Sequence, residues 1–332
     1  MKRIRVNFIF RKQGEGHNSI EELFHSIIAN LPEEIDTKIV ELPYGGASIK
    51  SVLLNLWHVL FLKGIIHVTG DVYYIGLIPF KKTILTIHDT NVLELPYISS
   101  LKKVFIKWFW YSLPLKTAKR ITVISDFTKN QIKEIYPKAL KKTVIIHNPV
   151  NPILETKPKQ EVAIQTRVLH LGTKPHKNLT NTVKATYKLG YKLIIVGKLS
   201  ENQKALLLEY PVEYENYTNL DFSEIKALYE TCDLVSFVSY LEGFGMPIIE
   251  AQKVGRPVVA SDRCSIPEVG GHGAVYVNPD EVEAMVKAYK RVVEDPLFRN
   301  QLIKRGFENV KRFEVPTVCS AYAKVYEELE KR

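Results

Sequence analysis

The 332-residue sequence predicts an α/β fold of two doubly wound domains, each a parallel sheet covered by helices. Three observations carry that expectation. Short apolar, β-branched runs alternate with helical patterns along both halves of the chain. A buried strand, a glycine-bearing turn and a helix follow one another between Asp233 and Gly255. The alternation also restarts after a polar, proline-bearing stretch near residues 150–160, which reads as a linker.

In the first half the strand candidates are Arg5–Phe10, Thr37–Glu41, Ile65–Thr69, Thr83–Ile87, Arg120–Ile124 and Thr143–His147. After the first strand, Gly14 and Gly16 lie in a loop that opens the helix Ile20–Asn30. That loop lacks the Gly-x-Gly-x-x-Gly dinucleotide pattern, so hydride transfer loses support. His67 with Asp71, and His88 with Asp89, end two strands at the carboxyl edge, where ligands of open α/β sheets bind. The first pair reads as capping without chemistry, and His88 is the better candidate. Leu101–Tyr111 mixes lysines with large aromatics at helical spacing, and Lys103 and Lys107 share a face. Such a segment suits an anionic membrane surface, although a core helix with a basic outer face is the plain alternative. Ser125 to Thr128 has the capping residues of a helix start.

In the second half, Arg167–Leu171 is a strand, and Gly172, Thr173, Lys174, Lys177 and Asn178 form a basic loop opening a helix. Free N–H groups at a helix start, with a lysine beside a glycine, suit a diphosphate. Lys192–Lys198 gives the next strand and the turn at Gly197, and a further strand ends near Tyr217–Leu220 before the helix Ser223–Cys232. Asp233–Val238 is a buried parallel strand. Gly243, Phe244, Gly245 and Met246 follow, and Pro247 is well placed as the first residue of a helix running to Gly255. Glu242 lies in the turn and Glu250 about one turn into the helix, a carboxylate at each end of an anion-binding corner. Past Pro279 the chain is helical, and Pro316 interrupts the pattern before a last helix, Thr317–Lys331.

The run Glu242-Gly243-Phe244-Gly245-Met246-Pro247, with Glu250-Ala251, then Gly255 to Ser261 and Pro267-Glu268-Val269, resembles the signature of retaining GT-B glycosyltransferases of family 4. The resemblance implies the GT-B fold, with an acceptor-binding domain over 1–153 and a nucleotide-sugar-binding domain over 160–316. It implies that the last helix, 317–332, packs back on the first domain and that the active site lies in the cleft between the two. It further implies a nucleotide-diphosphate sugar as donor and a saccharide or lipid-linked saccharide as acceptor, in assembly of a bacterial surface polysaccharide. The sugar moved is a hexose or an N-acetylhexosamine.

By the same resemblance the diphosphate rests on Lys177, Lys174 and the N–H groups of Phe244, Gly245 and Met246, and Glu242 orients the sugar hydroxyls. Glu250 holds the ribose, backbone near Tyr217–Leu220 meets the base, and His88 assists at the sugar, with a weaker transfer to Asp89. The loop of Gly14 and Gly16 borders the donor phosphates. Thr173 stands where an arginine is common, which leaves room for a non-catalytic nucleotide-sugar-binding protein or scaffold. An epimerase on the same fold is opposed by the glutamate pair and Lys177.

Composition bounds the rest. No Asp-x-Asp and no metal-spaced His/Cys/carboxylate cluster is present in the sequence, so no metal and no cofactor are expected. Cys232, Cys264 and Cys319 form no disulfide framework, which fits a reducing cytoplasm. Met1–Phe10 reads as a strand rather than a leader, and Val52–Ile66 is too interrupted to span a membrane. Residues 1–150 hold 21 Lys and Arg against 12 Asp and Glu, a net +9, and the remainder 25 against 24. The excess in the first half points to an anionic partner. That partner could be a membrane surface, a lipid phosphate or nucleic acid, and no nucleic-acid motif accompanies the charge. With the lipid-linked acceptor that the resemblance implies, a peripheral place at the inner face of the cell membrane is expected.

Overall fold

A computed structural model describes residues 3–12, 19–46, 48–93, 98–159 and 162–331. Among these, twelve strands make two six-stranded sheets, and every pairing in both is parallel. The chain divides into one unit of residues 1–149 with 315–332, and a second unit of residues 150–314.

The first unit contains β1 (Ile4–Phe10), β2 (Ile35–Glu41), β3 (Ile65–Val68), β4 (Thr83–Ile87), β5 (Arg120–Val123) and β6 (Thr143–Ile145), in the order β2-β1-β3-β4-β5-β6. The apolar runs are strands because both sheet faces are covered. Along β1, Val6, Phe8 and Phe10 pack with Phe24 and Ile27 of the helix Ser19–Ala29 and with Tyr322 and Tyr326 of the helix Val315–Glu330. Ile9, on the opposite pleat, joins Val68, Leu85, Ile121 and Tyr73 in the other layer. The last helix begins at Val315, so Pro316 lies in its first turn rather than before it. A missing N–H costs nothing there, because a first-turn N–H has no partner within the helix.

The segment read as one helix over Leu101–Tyr111 departs from α geometry. An α-helix covers Ser100–Phe105, a wider π-type turn covers Ile106–Ser112, and α geometry returns over Leu113–Thr117. Pro114 offers no N–H to the carbonyl of Trp110, four residues back, and the Leu113 N–H reaches the carbonyl of Trp108, five residues back.

The second unit contains β7 (Arg167–Leu171), β8 (Lys192–Val196), β9 (Tyr214–Tyr217), β10 (Leu234–Phe237), β11 (Val258–Ser261) and β12 (Ala274–Val277), in the order β12-β11-β10-β7-β8-β9. The strand order reverses between β7 and β10, which pair directly through Val168–Leu234, Leu169–Val235 and His170–Ser236. The loops leaving the carboxyl ends of these two strands are therefore neighbours, the arrangement that makes a ligand crevice in open α/β sheets. The stretch read as a linker is, in its described part, fastened to this unit. The Lys157 N–H donates to the Val254 carbonyl, and Lys159 forms an ion pair of 2.6 Å with buried Asp233.

Candidate active site

Lys177 and Glu242 leave those two neighbouring strands and meet. Nζ of Lys177 lies 2.6 Å from Oε1 of Glu242, both side chains are mostly covered, and Oε2 has no partner among the described residues. The lysine stem crosses Gly172, whose φ of +96° and absent Cβ make the space; a Cβ there would stand 3.0 Å from Lys177 Cγ. The ammonium also lies 5.2 Å from the centroid of the Phe237 ring. Next to the pair, Gly245 (φ +118°) caps the helix Met246–Val254, with Pro247 in its first turn rather than at its first position. In its first turn Pro247 has no N–H and the Ile248 N–H donates to the Gly245 carbonyl at 3.0 Å, so the Met246 N–H leads the positive dipole end of the helix. A lysine, a carboxylate and a helix N-terminus thus share one corner.

Three residues that local patterns did not single out hold the corner in shape. Ser265 is buried, and its hydroxyl donates to the carbonyls of Glu242 (2.9 Å) and Phe244 (2.8 Å). Phe244 packs edge-on against Phe313 at 5.7 Å. Tyr229, fully buried, donates its hydroxyl to Oε2 of Glu250 at 2.7 Å. Glu250 is itself buried, which pushes its carboxyl up to about 7 while the Tyr229 hydrogen bond works in the other direction.

The remaining loop residues divide by what they touch. Asn178 stands at φ +60° and donates to the carbonyls of Val238 (3.2 Å) and Pro279 (2.8 Å), so its amide ties three loops together. The Thr173 hydroxyl donates to the Lys198 carbonyl at 2.7 Å, beside Gly197, where a Cβ would stand 2.9 Å from Thr173. Lys174 is exposed and in no ion pair among the described residues. The Tyr217 hydroxyl donates to Glu215 at 2.6 Å, and its carbonyl accepts the Gly197 N–H. Leu220 is half-buried just before the helix Phe222–Thr231.

In the first unit, His88 follows β4 and lines a cavity of about 580 Å³ with Asp71, Asp89, Lys102, Trp110 and Tyr111. Its Nε2 donates to the Thr69 carbonyl at 2.8 Å, which assigns the proton to Nε2. Burial lowers its pKa, offset in part by that bond and by Asp71 and Asp89, so the ring is neutral and Nδ1 is an acceptor. The Thr128 hydroxyl donates to the His88 carbonyl at 3.2 Å, and the Ser125 hydroxyl accepts the Thr128 N–H, so the capped helix start positions the histidine. The His67–Asp71 capping pair does not form. His67 is wholly buried between Thr86 (2.7 Å) and Tyr326 (2.8 Å), and its pKa falls to about 3, whereas Asp71 pairs with Arg11 at 3.3 Å. Gly14 and Gly16 lie outside the described residues.

Against this geometry stand the likenesses to known proteins. The family model for glycosyl transferases group 1 matches residues 157–309. The O-antigen chain mannosyltransferase RfbU of Salmonella typhimurium is 30% identical over 242 residues, covering 69% of this chain and 67% of that protein. The O-antigen chain mannosyltransferase B of Escherichia coli is 27% identical over 261 residues, covering 70% and 67%. Among solved structures, Anabaena HepE in complex with UDP and glucose superposes with a TM-score of 0.77 at 17% identity, covering 98% of this chain and 100% of that one.

Proposed function

The chain belongs to the glycosyl transferases group 1 and has the GT-B fold, and from that premise we propose that it moves a sugar from a nucleotide-diphosphate donor, with retention, onto a lipid-linked saccharide of a bacterial surface polysaccharide. Glycosyl transfer is the family's activity; the two mannosyltransferase relatives favour a hexose as the sugar and an O-antigen-like chain as the product. The observation that carries the reading is the Lys177–Glu242 pair beside the helix start at Met246.

In this reading the donor diphosphate takes Lys177 and Lys174 as counter-ions and the N–H groups of Phe244, Gly245 and Met246 as donors, which stabilise the leaving group as its charge grows. Glu242, released from the lysine, accepts hydroxyls of the sugar, and Glu250 accepts those of the ribose. Backbone near Tyr217–Leu220 meets the base. His88, neutral and with an acceptor at Nδ1, is assigned to the sugar. The bond from the anomeric carbon to the phosphate oxygen breaks as the acceptor oxygen bonds to the same face. The acceptor proton passes to the departing phosphate oxygen. No metal is assigned a part, because lysines and amide dipoles supply the positive charge. The basic, aromatic segment 101–112 holds the enzyme on an anionic membrane surface, where a lipid-linked acceptor resides.

A thermal-shift screen with UDP, GDP and ADP and their sugars, with and without magnesium, tests the donor site. One diphosphate is expected to raise the melting temperature, equally with chelator present. No shift at millimolar concentration from any of them would remove the donor assignment, and a shift that needs magnesium would remove the metal-free part.

A further inference from the structure

The helix Ile49–Leu60, started by Ser48, whose hydroxyl accepts the Ser51 N–H, is apolar on both faces. One face seats Val52, Leu56 and buried Val59 on the core of the first unit. The other leaves Ile49 (81%), Leu53 (60%) and Trp57 (65%) exposed, and Phe61 (65%) continues the row just past the helix end. Their spacing of four makes one ridge, along which Trp57 and Phe61 touch edge-on at 5.0 Å. Single exposed apolar side chains are ordinary, but a contiguous ridge of this size marks an interaction surface.

Charge indicates what covers it. No Asp or Glu occurs from residue 42 to residue 70, while Lys50 and Lys63 flank the ridge. Residues 98–142 of the same unit hold eleven Lys and Arg against Asp126 and Glu134, so this one stretch supplies +9 of the net +10. The two regions are mechanically joined. The Asn55 amide donates to the Tyr74 hydroxyl at 2.8 Å, Tyr74 packs on Trp110 at 5.1 Å, and Trp110 donates to the Asp71 carbonyl. Beyond Trp110 the neighbouring helix exposes Leu101, Val104, Trp108 and Phe109 among Lys102, Lys103 and Lys107. A two-fold contact with a second copy would set this basic surround against itself, whereas an anionic leaflet meets both the lysines and the apolar ridge.

We propose that the helix Ile49–Leu60 is a second membrane-docking element, which lays Ile49, Leu53, Trp57 and Phe61 into the headgroup–acyl boundary of an anionic phospholipid leaflet. Lys50 and Lys63 then lie at the depth of the lipid phosphates. The inference rests on the reading of segment 101–112 as membrane-facing and adds a separate helix to it.

Co-sedimentation of the full chain with phosphatidylglycerol-containing vesicles tests it, with Leu53→Ser/Trp57→Ser set beside Lys103→Glu/Lys107→Glu. Both side chains of the first variant are exposed, so its melting temperature is expected to match that of the wild type. Its vesicle partitioning is expected to fall by about tenfold or more, as loss of two inserted apolar groups implies. Wild-type binding by that variant, with binding lost in the lysine variant, would overturn the inference and leave the 101–112 reading standing. No binding by the unmodified chain would remove both. A dimer that the serine variant dissociates, with vesicle binding unchanged, would assign the ridge to a second copy and overturn the inference.

Discussion

At the scale of single residues, Lys177 and Glu242 are each other's counter-ion at 2.6 Å. A donor diphosphate must therefore compete with a carboxylate for the ammonium. Glu242→Gln removes the competitor and keeps the shape. Nucleoside-diphosphate affinity is expected to hold or to rise by a few-fold, while transfer falls by about a hundredfold or more. Calorimetric titration beside turnover checks this; unchanged turnover would remove Glu242 from the site. Glu250 gives a pH test. Its carboxyl sits at about 7 in the native state against an ordinary 4.5. Between those values the native state keeps a proton that the unfolded chain has released. This contribution to stability is fully present below about 4.5 and is lost as pH rises through 7, on the order of 3 kcal/mol. Ribose hydroxyls donate best to the ionised carboxylate, so nucleoside affinity is expected to climb between pH 6 and 8 in the wild type. In Glu250→Gln that climb should be absent; an identical slope in both proteins would show that Glu250 does not meet the ribose.

At the scale of elements, the loop after β7 depends on one backbone conformation. Gly172 holds φ +96° against the Lys177 stem, and any side chain there would displace the lysine as well as strain the turn. Gly172→Ala is expected to cost about 1 kcal/mol or more in stability and to weaken diphosphate binding beyond that loss. Thermal melts paired with a diphosphate titration separate the two effects; weakened stability with full affinity would count against Lys177 as the diphosphate's partner. Such elements were legible in the sequence where the pattern is local. Apolar runs with flanking glycines, and Ser125 before a helical repeat, each carry their own physical signal. The π-type turn at Ile106–Ser112 was not legible, because its cause is the missing N–H of Pro114 acting one turn back through aromatic residues that also suit an α-helix.

At the scale of the whole molecule, the chain leaves its first unit at residue 149 and returns to it at residue 315. The returning helix buries Val318, Cys319, Tyr322, Tyr326 and Leu329 against β1 and the helix Ser19–Ala29, and Tyr326 gives buried His67 one of its two partners. A chain ended after Glu314 is expected to lose the cooperative melting of the first unit and to become protease-sensitive within residues 1–149, with the second unit left folded. Retention of both transitions in calorimetry would show that the last helix is dispensable to that core.

By itself the sequence determined the fold class, most strands and the strand–glycine turn–helix corner around Glu242. Those features follow from side-chain alternation, backbone permissiveness and capping, which act over a few residues. Only the tertiary structure decided which polar groups meet. Lys177 and Glu242, 65 residues apart, are joined because β7 and β10 are neighbours at the reversal of strand order. Ser265 under the turn, Tyr229 on Glu250, and His67 on Tyr326 across 259 residues are set by strand order and helix packing in the same way. A local pattern contains the strength of each strand but not its neighbour, and the burial that raises the Glu250 carboxyl exists only once the layers close over it.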